Sequence, residues 1–116
     1  MKLTGKVALV TGGARGLGRA YALHLAKLGA DVVINDINLA AAEDYDESLT
    51  EATVMDEIIA LGPRSMGIEA DVMDKSAVNQ MVHDIVENFG CIDILVNNAG
   101  GALPHPHDHP GRASDA

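Results

Sequence analysis

The run Thr11-Gly12-Gly13-Ala14-Arg15-Gly16-Leu17-Gly18 restricts the fold of this chain more than any other stretch. It stands between the apolar run Lys6 to Val10 and an Ala- and Leu-rich segment, Leu17 to Leu28, in which Leu17, Ala20, Tyr21 and Leu28 recur at helical spacing. That order predicts a buried strand, a tight turn and a helix, with Gly29 as the residue just past the helix end. In the G-x-x-x-G-x-G turn, Gly12 permits the bend and Gly16 lets a ligand approach the backbone with no Cβ in the way. Gly18 lets the helix pack closely on the sheet. The helix start then offers free N–H groups to a phosphate. Gly13 to Gly18 also has Walker A spacing, but Arg19-Ala20 stands where Lys and Ser or Thr are needed, which argues against nucleotide hydrolysis.

The same pattern repeats downstream. Asp31 to Asn35 predicts a second buried strand, followed by a helix ending at Leu61 ahead of Gly62-Pro63. The acidic stretch Glu43, Asp44, Asp46, Glu47 and Glu51 reads as a solvated loop leading into that helix, with Thr50 or Ser48 as its cap. Its spacing fails as a calcium loop, because Leu49 and Met55 stand where glycine and a bidentate Glu are required. Ser65 to Ala70 is a weaker third strand. Asp74 then caps a helix whose Val78, Met81, Val82, Ile85, Val86 and Phe89 form one apolar stripe, and Ile92 to Val96 is a fourth strand.

Strands that read as continuous apolar runs belong to a parallel sheet covered on both faces. The expected fold is therefore an α/β, Rossmann-like doubly wound parallel sheet. Right-handed crossovers give the strand order 3-2-1-4, truncated after strand four. The ligand crevice of such a sheet opens at the switch point between strands one and four, where Gly12 to Gly18 would meet Asn97 to Gly100.

Asp36 closes strand two at roughly the 20-residue interval past the glycines at which an acidic side chain meets an adenosine ribose. A ribose 2′-phosphate facing that carboxylate at ~5 Å would cost about 1–3 kcal/mol per unit charge. NAD is thus expected in preference to NADP, with Arg15 as the counterweight, since a guanidinium in the loop suits the extra phosphate. Eight Lys and Arg against 17 Asp and Glu leave a net charge of −9, which repels nucleic acid and anionic membrane surfaces. With one cysteine, Cys91, expected as a small buried apolar residue, the chain reads as cytoplasmic.

Taken in order, Thr11 to Gly18, Asp36, Asp71-Val72 and Asn97-Asn98-Ala99-Gly100 resemble the successive cofactor-side motifs of the short-chain dehydrogenase/reductase family. The resemblance spans residues 4–101. It implies a nicotinamide dinucleotide partner, with Gly12, Arg15, Gly16, Leu17, Gly18 and Asp36 on the cofactor. It also implies that Asp71 and Val72 lie against the adenine, and that Asn98, Ala99 and Gly100 border the ribose. The implied activity is hydride transfer between the cofactor and a small-molecule alcohol or carbonyl substrate.

The family's catalytic Ser and Tyr-x-x-x-Lys are not found. The two tyrosines, Tyr21 and Tyr45, are followed four positions on by Leu25 and Leu49. The expectation is a cofactor-binding domain over residues 1–101, inactive by itself, and a disordered Pro/His-rich tail over 102–116 whose His105, His107 and His109 form no metal site. Strand four would then present an unpaired edge and a partly bare face, favouring marginal stability and association with a partner or another copy. The rival expectation is a non-catalytic nucleotide-binding or interaction module completed by a partner.

Overall fold

The computed structural model describes residues 2–99, so Gly100 and the segment 102–116 lie outside the described residues. Strand β1 (Val7–Thr11) is buried at every position. It pairs in parallel with β2 (Asp31–Asp36) on one side and β4 (Ile94–Asn97) on the other, and β2 pairs with β3 (Ser65–Glu69). The sheet order is β3-β2-β1-β4, the doubly wound order expected. Helices α1 (Gly16–Lys27), α2 (Ala41–Asp44), α3 (Val54–Ala60) and α4 (Lys75–Phe89) make up the connections.

Side chains alternate across each strand, and the two faces of the sheet bury different cores. Ala8, Val10, Val32 and Ile34 face α1 and α3, meeting Ala22, Ala26, Val54 and Ile58. Val7, Leu9 and Val33 face the other way, onto Met81 and Ile85 of α4. Each long helix stops at a residue followed by a glycine of positive φ, at Gly29, Gly62 and Gly90. Asp74 caps α4 as expected, accepting the N–H groups of Ser76 and Ala77. Among the described residues no helix is long and apolar enough to cross a membrane.

Three local expectations need correction. The cap of α3 is Thr53, which accepts the Asp56 N–H at 3.0 Å; Thr50 instead donates its N–H and hydroxyl to Glu57. The fourth strand begins at Ile94 instead of Ile92, because Asp93 reaches β1 with its side chain. Its carboxylate accepts the Val7 N–H at 2.8 Å while its own N–H donates to the Val7 carbonyl. Cys91 is exposed, since it lies in the turn after Gly90 and it is Ile92 that packs toward the core. A hydrogen bond to Asp93 pushes its thiol above the ordinary range. On α4, His83 has Nε2 3.4 Å from Glu87 one helical turn on.

The stripe on α4 is narrower than its sequence pattern. Met81 and Ile85 are buried, whereas Val82 and Val86 are 40% and 46% exposed. Leu95 on β4 is 60% exposed. The partly bare face expected at strand four is therefore present among the described residues, because the edge strand has no further neighbour there to cover it.

Candidate functional site

The carboxyl ends of β1, β2 and β4 converge on the glycine turn, and one side chain organises the junction. The hydroxyl of Thr11, 5% exposed, accepts the N–H of Asn98 at 3.0 Å and that of Ala99 at 3.1 Å. Its proton is shared between the Val96 carbonyl at 3.4 Å and the Asn97 side-chain oxygen at 3.2 Å. One donor and two acceptors exhaust what a hydroxyl offers. Sequence inspection treats Thr11 as part of a turn and misses this role; a hydroxyl at the end of an otherwise apolar buried strand is the signal available. We expect Thr11→Val, equal in shape but unable to accept, to destabilise the fold by about 1–3 kcal/mol. Thr11→Ser should stay near wild type in the same urea denaturation.

Asn98 adds a second tie, its side-chain amide donating to the Gly12 carbonyl at 3.2 Å. The chain crosses so closely here that a Cβ on Gly12 would lie 3.0 Å from the Ala99 backbone, and Gly12 holds φ at +65°. A Cβ on Gly18 would lie 2.0 Å from the Gly12 carbonyl oxygen. Both glycines thus serve the approach of helix, turn and fourth strand. Gly16 differs: its φ is +58°, and a Cβ there would meet open space.

Asp36 stands at the end of β2 with its carboxylate turned onto the turn, Oδ2 accepting the Ala14 N–H at 3.1 Å and Oδ1 the Asn38 N–H at 3.1 Å. A carboxylate has about four acceptor positions, so two remain for a ligand's hydroxyls. Buried Asn35 beside it donates to the carbonyls of Ile68 and Ala70, fastening the end of β3 to that of β2. Asp71 and Val72 follow on the same edge of the sheet, and the Asp71 carboxylate accepts the Met73 N–H at 2.9 Å. The structure thus brings Gly12 to Gly18, Asp36, Asp71, Val72, Asn98 and Ala99 to one edge. Gly100 lies outside the described residues.

Helix α1 starts at Gly16; the side chain of Arg15, the residue before it, caps no N–H group, and the first turn holds no acidic residue. Its positive dipole end faces the open space at Gly16, and Leu17 there is 67% exposed. Among the described residues the N–H groups of Leu17 and Gly18 have no hydrogen-bond acceptor. The Gly16 N–H donates to Glu47 Oε2 at 2.8 Å.

Around that contact lies a charged cluster that the sequence pattern conceals. Arg19 grips the buried carboxylate of Glu57 with Nε at 3.0 Å and Nη2 at 2.8 Å, and reaches Glu47 at 3.3 Å and the Ser48 carbonyl at 3.0 Å. Burial pushes the Glu57 carboxyl up. The hydrogen bonds from Arg19 and Thr50 and the guanidinium charge outweigh that and hold it below the usual carboxylate range. Arg15 lies with Cζ 3.9 Å from the Tyr45 ring centroid. Segment 45–50 is largely exposed, as expected of a solvated loop, but Glu47 and the Ser48 carbonyl strap it to the glycine turn and Arg19.

A family model described as short chain dehydrogenase matches residues 6–113. Cyclohexanol dehydrogenase of Rhodococcus sp. is 49% identical over 111 residues, 93% of this chain and 41% of that protein. A short chain dehydrogenase from Burkholderia cenocepacia, solved in complex with NADP, is 44% identical with a TM-score of 0.70, over 84% of this chain and 36% of that one. NAD+-bound xylitol dehydrogenase is 33% identical with a TM-score of 0.70, over 82% and 33%. The chain spans about 40% of the length of the curated relatives it matches.

Proposed function

The chain belongs to the short-chain dehydrogenase family, and from that premise we propose that it binds a nicotinamide dinucleotide at the carboxyl edge of its sheet. We further propose NAD in preference to NADP. One observation carries this: Gly16, where a Cβ would meet open space, the start of α1 with the unbonded N–H groups of Leu17 and Gly18 among the described residues, and the Asp36 carboxylate lie together at the glycine turn. A diphosphate needs close backbone approach and free N–H groups, and the Gly16 cradle with Leu17 and Gly18 supplies both. Asp36 accepts from the adenosine ribose hydroxyls, Asp71 and Val72 border the adenine, and Asn98 and Ala99 border the second ribose.

Bound, the cofactor supplies or accepts a hydride in the interconversion of an alcohol and a carbonyl compound. Proton transfer at the substrate needs a phenol or equivalent group of tuned pKa. Tyr21 and Tyr45 have Leu25 and Leu49 four positions on, in place of the family's lysine. These 116 residues are therefore proposed to bind cofactor without turning over substrate.

Arg15 bears on the choice of cofactor. Stacked on Tyr45, its guanidinium is already engaged, while Asp36 remains as a fixed negative charge at the ribose position. Titration of the chain with NADH and NADPH, followed by nicotinamide fluorescence, tests the reading. Asp36→Asn should shift the preference toward NADPH by about 1–3 kcal/mol per unit of phosphate charge. An unchanged ratio, or binding of neither dinucleotide, overturns the assignment.

A further inference from the structure

We propose that Glu47 is an internal competitor of the cofactor's phosphates, a carboxylate held on the N-terminus of α1 that must leave before a dinucleotide can settle there. This rests on the cofactor reading above and extends it to the control of affinity. The first backbone donor of α1 is the N–H of Gly16, placed where the helix dipole favours an anion. Glu47 Oε2 lies 2.8 Å from that nitrogen, although it comes from 31 positions along the chain.

The contact is built. Glu47 Oε1 is drawn to Arg19 at 3.3 Å, and the same guanidinium holds the neighbouring Ser48 carbonyl at 3.0 Å. Arg19 is in turn fixed by both oxygens of Glu57, whose side chain is 2% exposed. On the upstream side Ala41 and Ala42 of α2 are buried in the protein, and Tyr45 stacks on Arg15. The strap is therefore anchored at both ends, with its carboxylate delivered to the open side of the glycine turn.

A phosphate oxygen and the Glu47 carboxylate cannot share one N–H at hydrogen-bond distance without bringing two negative charges into contact. Binding thus requires Glu47 to withdraw, keeping at most its bond to Arg19. The Glu47 side chain is 25% exposed, so water compensates part of the loss and the penalty on affinity is moderate. Removing its charge should tighten cofactor binding.

The test measures NADH dissociation constants by fluorescence titration for the full chain and for Glu47→Gln, Glu47→Ala and Asp46→Asn. Asp46→Asn is the charge control: the side chain is exposed, and its φ of +59° suits asparagine. Both Glu47 variants should bind NADH about three- to tenfold more tightly, with Asp46→Asn within about twofold of wild type. Binding that is unchanged or weaker in the Glu47 variants overturns the competition while leaving the cofactor site intact. Equal tightening in Asp46→Asn overturns it too, by tracing the effect to net charge. Binding by none of the four proteins overturns the cofactor reading and this inference together.

Discussion

Gly18→Ala should lower the stability of the chain by roughly 3 kcal/mol, the upper end of the usual penalty for overpacking. The added Cβ would lie 2.0 Å from the Gly12 carbonyl oxygen and 2.7 Å from the Asn98 side-chain nitrogen. A side chain could rotate away, but the oxygen belongs to the backbone of a turn pinned by Asn98 itself. Relief therefore requires α1 to move off the sheet, uncovering Ala22 and Ala26, which are both fully buried. Urea denaturation followed by circular dichroism reads the effect as a midpoint lowered by about 1 M or more, for slopes of about 1–3 kcal/mol per M. Gly16→Ala is the comparison. Its Cβ enters open space, so it should lose only the ~1–2 kcal/mol of a left-handed backbone bearing a side chain. Equal losses in the two variants would show that the close approach at Gly18 does not govern packing.

Arg19→Met is expected to cost about 3–5 kcal/mol at neutral pH, because it leaves the Glu57 carboxylate buried with no cation. The partners are 18% and 2% exposed, so solvent screens this pair little. A loss of that size is a large fraction of a typical domain's ~5–15 kcal/mol. The pH dependence gives a sharper test. In the wild type Glu57 is held below the usual carboxylate range. Its contribution is complete above the unfolded value of about 4.3 and drains away as pH falls through the lower folded value. Without Arg19 the guanidinium no longer holds the carboxyl down, and burial moves it up relative to the wild type. The variant's deficit should then be largest at pH 7 and shrink as the solution is acidified. Arg19→Met combined with Glu57→Gln should recover most of the loss, since the Thr50 N–H and hydroxyl still find an acceptor. A deficit independent of pH, or no recovery in the double variant, would show that the buried charge is not the cause.

Elements whose physics is local or periodic were legible in the sequence. Val7–Val10 and Val32–Ile34 are continuous apolar runs because both faces of a central parallel strand are covered, and that burial leaves its mark on composition. Asp74 announces α4 through a cap that acts two and three residues away. Strand order follows from the handedness of crossovers, which needs only the sequence of element types. The exposure of Cys91 and the start of β4 were not legible. They depend on Asp93 reaching across to Val7, 86 positions away.

The glycine spacing, the acidic residue closing the second strand and the strand order were set by the sequence alone, since backbone approach and two-sided burial permit few residue types. Tertiary structure decided which of five closely spaced carboxylates would meet the Gly16 N–H, and that Glu57 rather than an apolar residue would be buried beneath Arg19. Along the chain, Glu43 to Glu51 reads as one solvated acidic stretch, with Glu57 beyond it in the helix that ends at Leu61. A charge carries no periodicity to betray its partner, and Arg19 lies 28 positions from Glu47 and 38 from Glu57. Only when the sheet sets α1 beside α3 does that distance close.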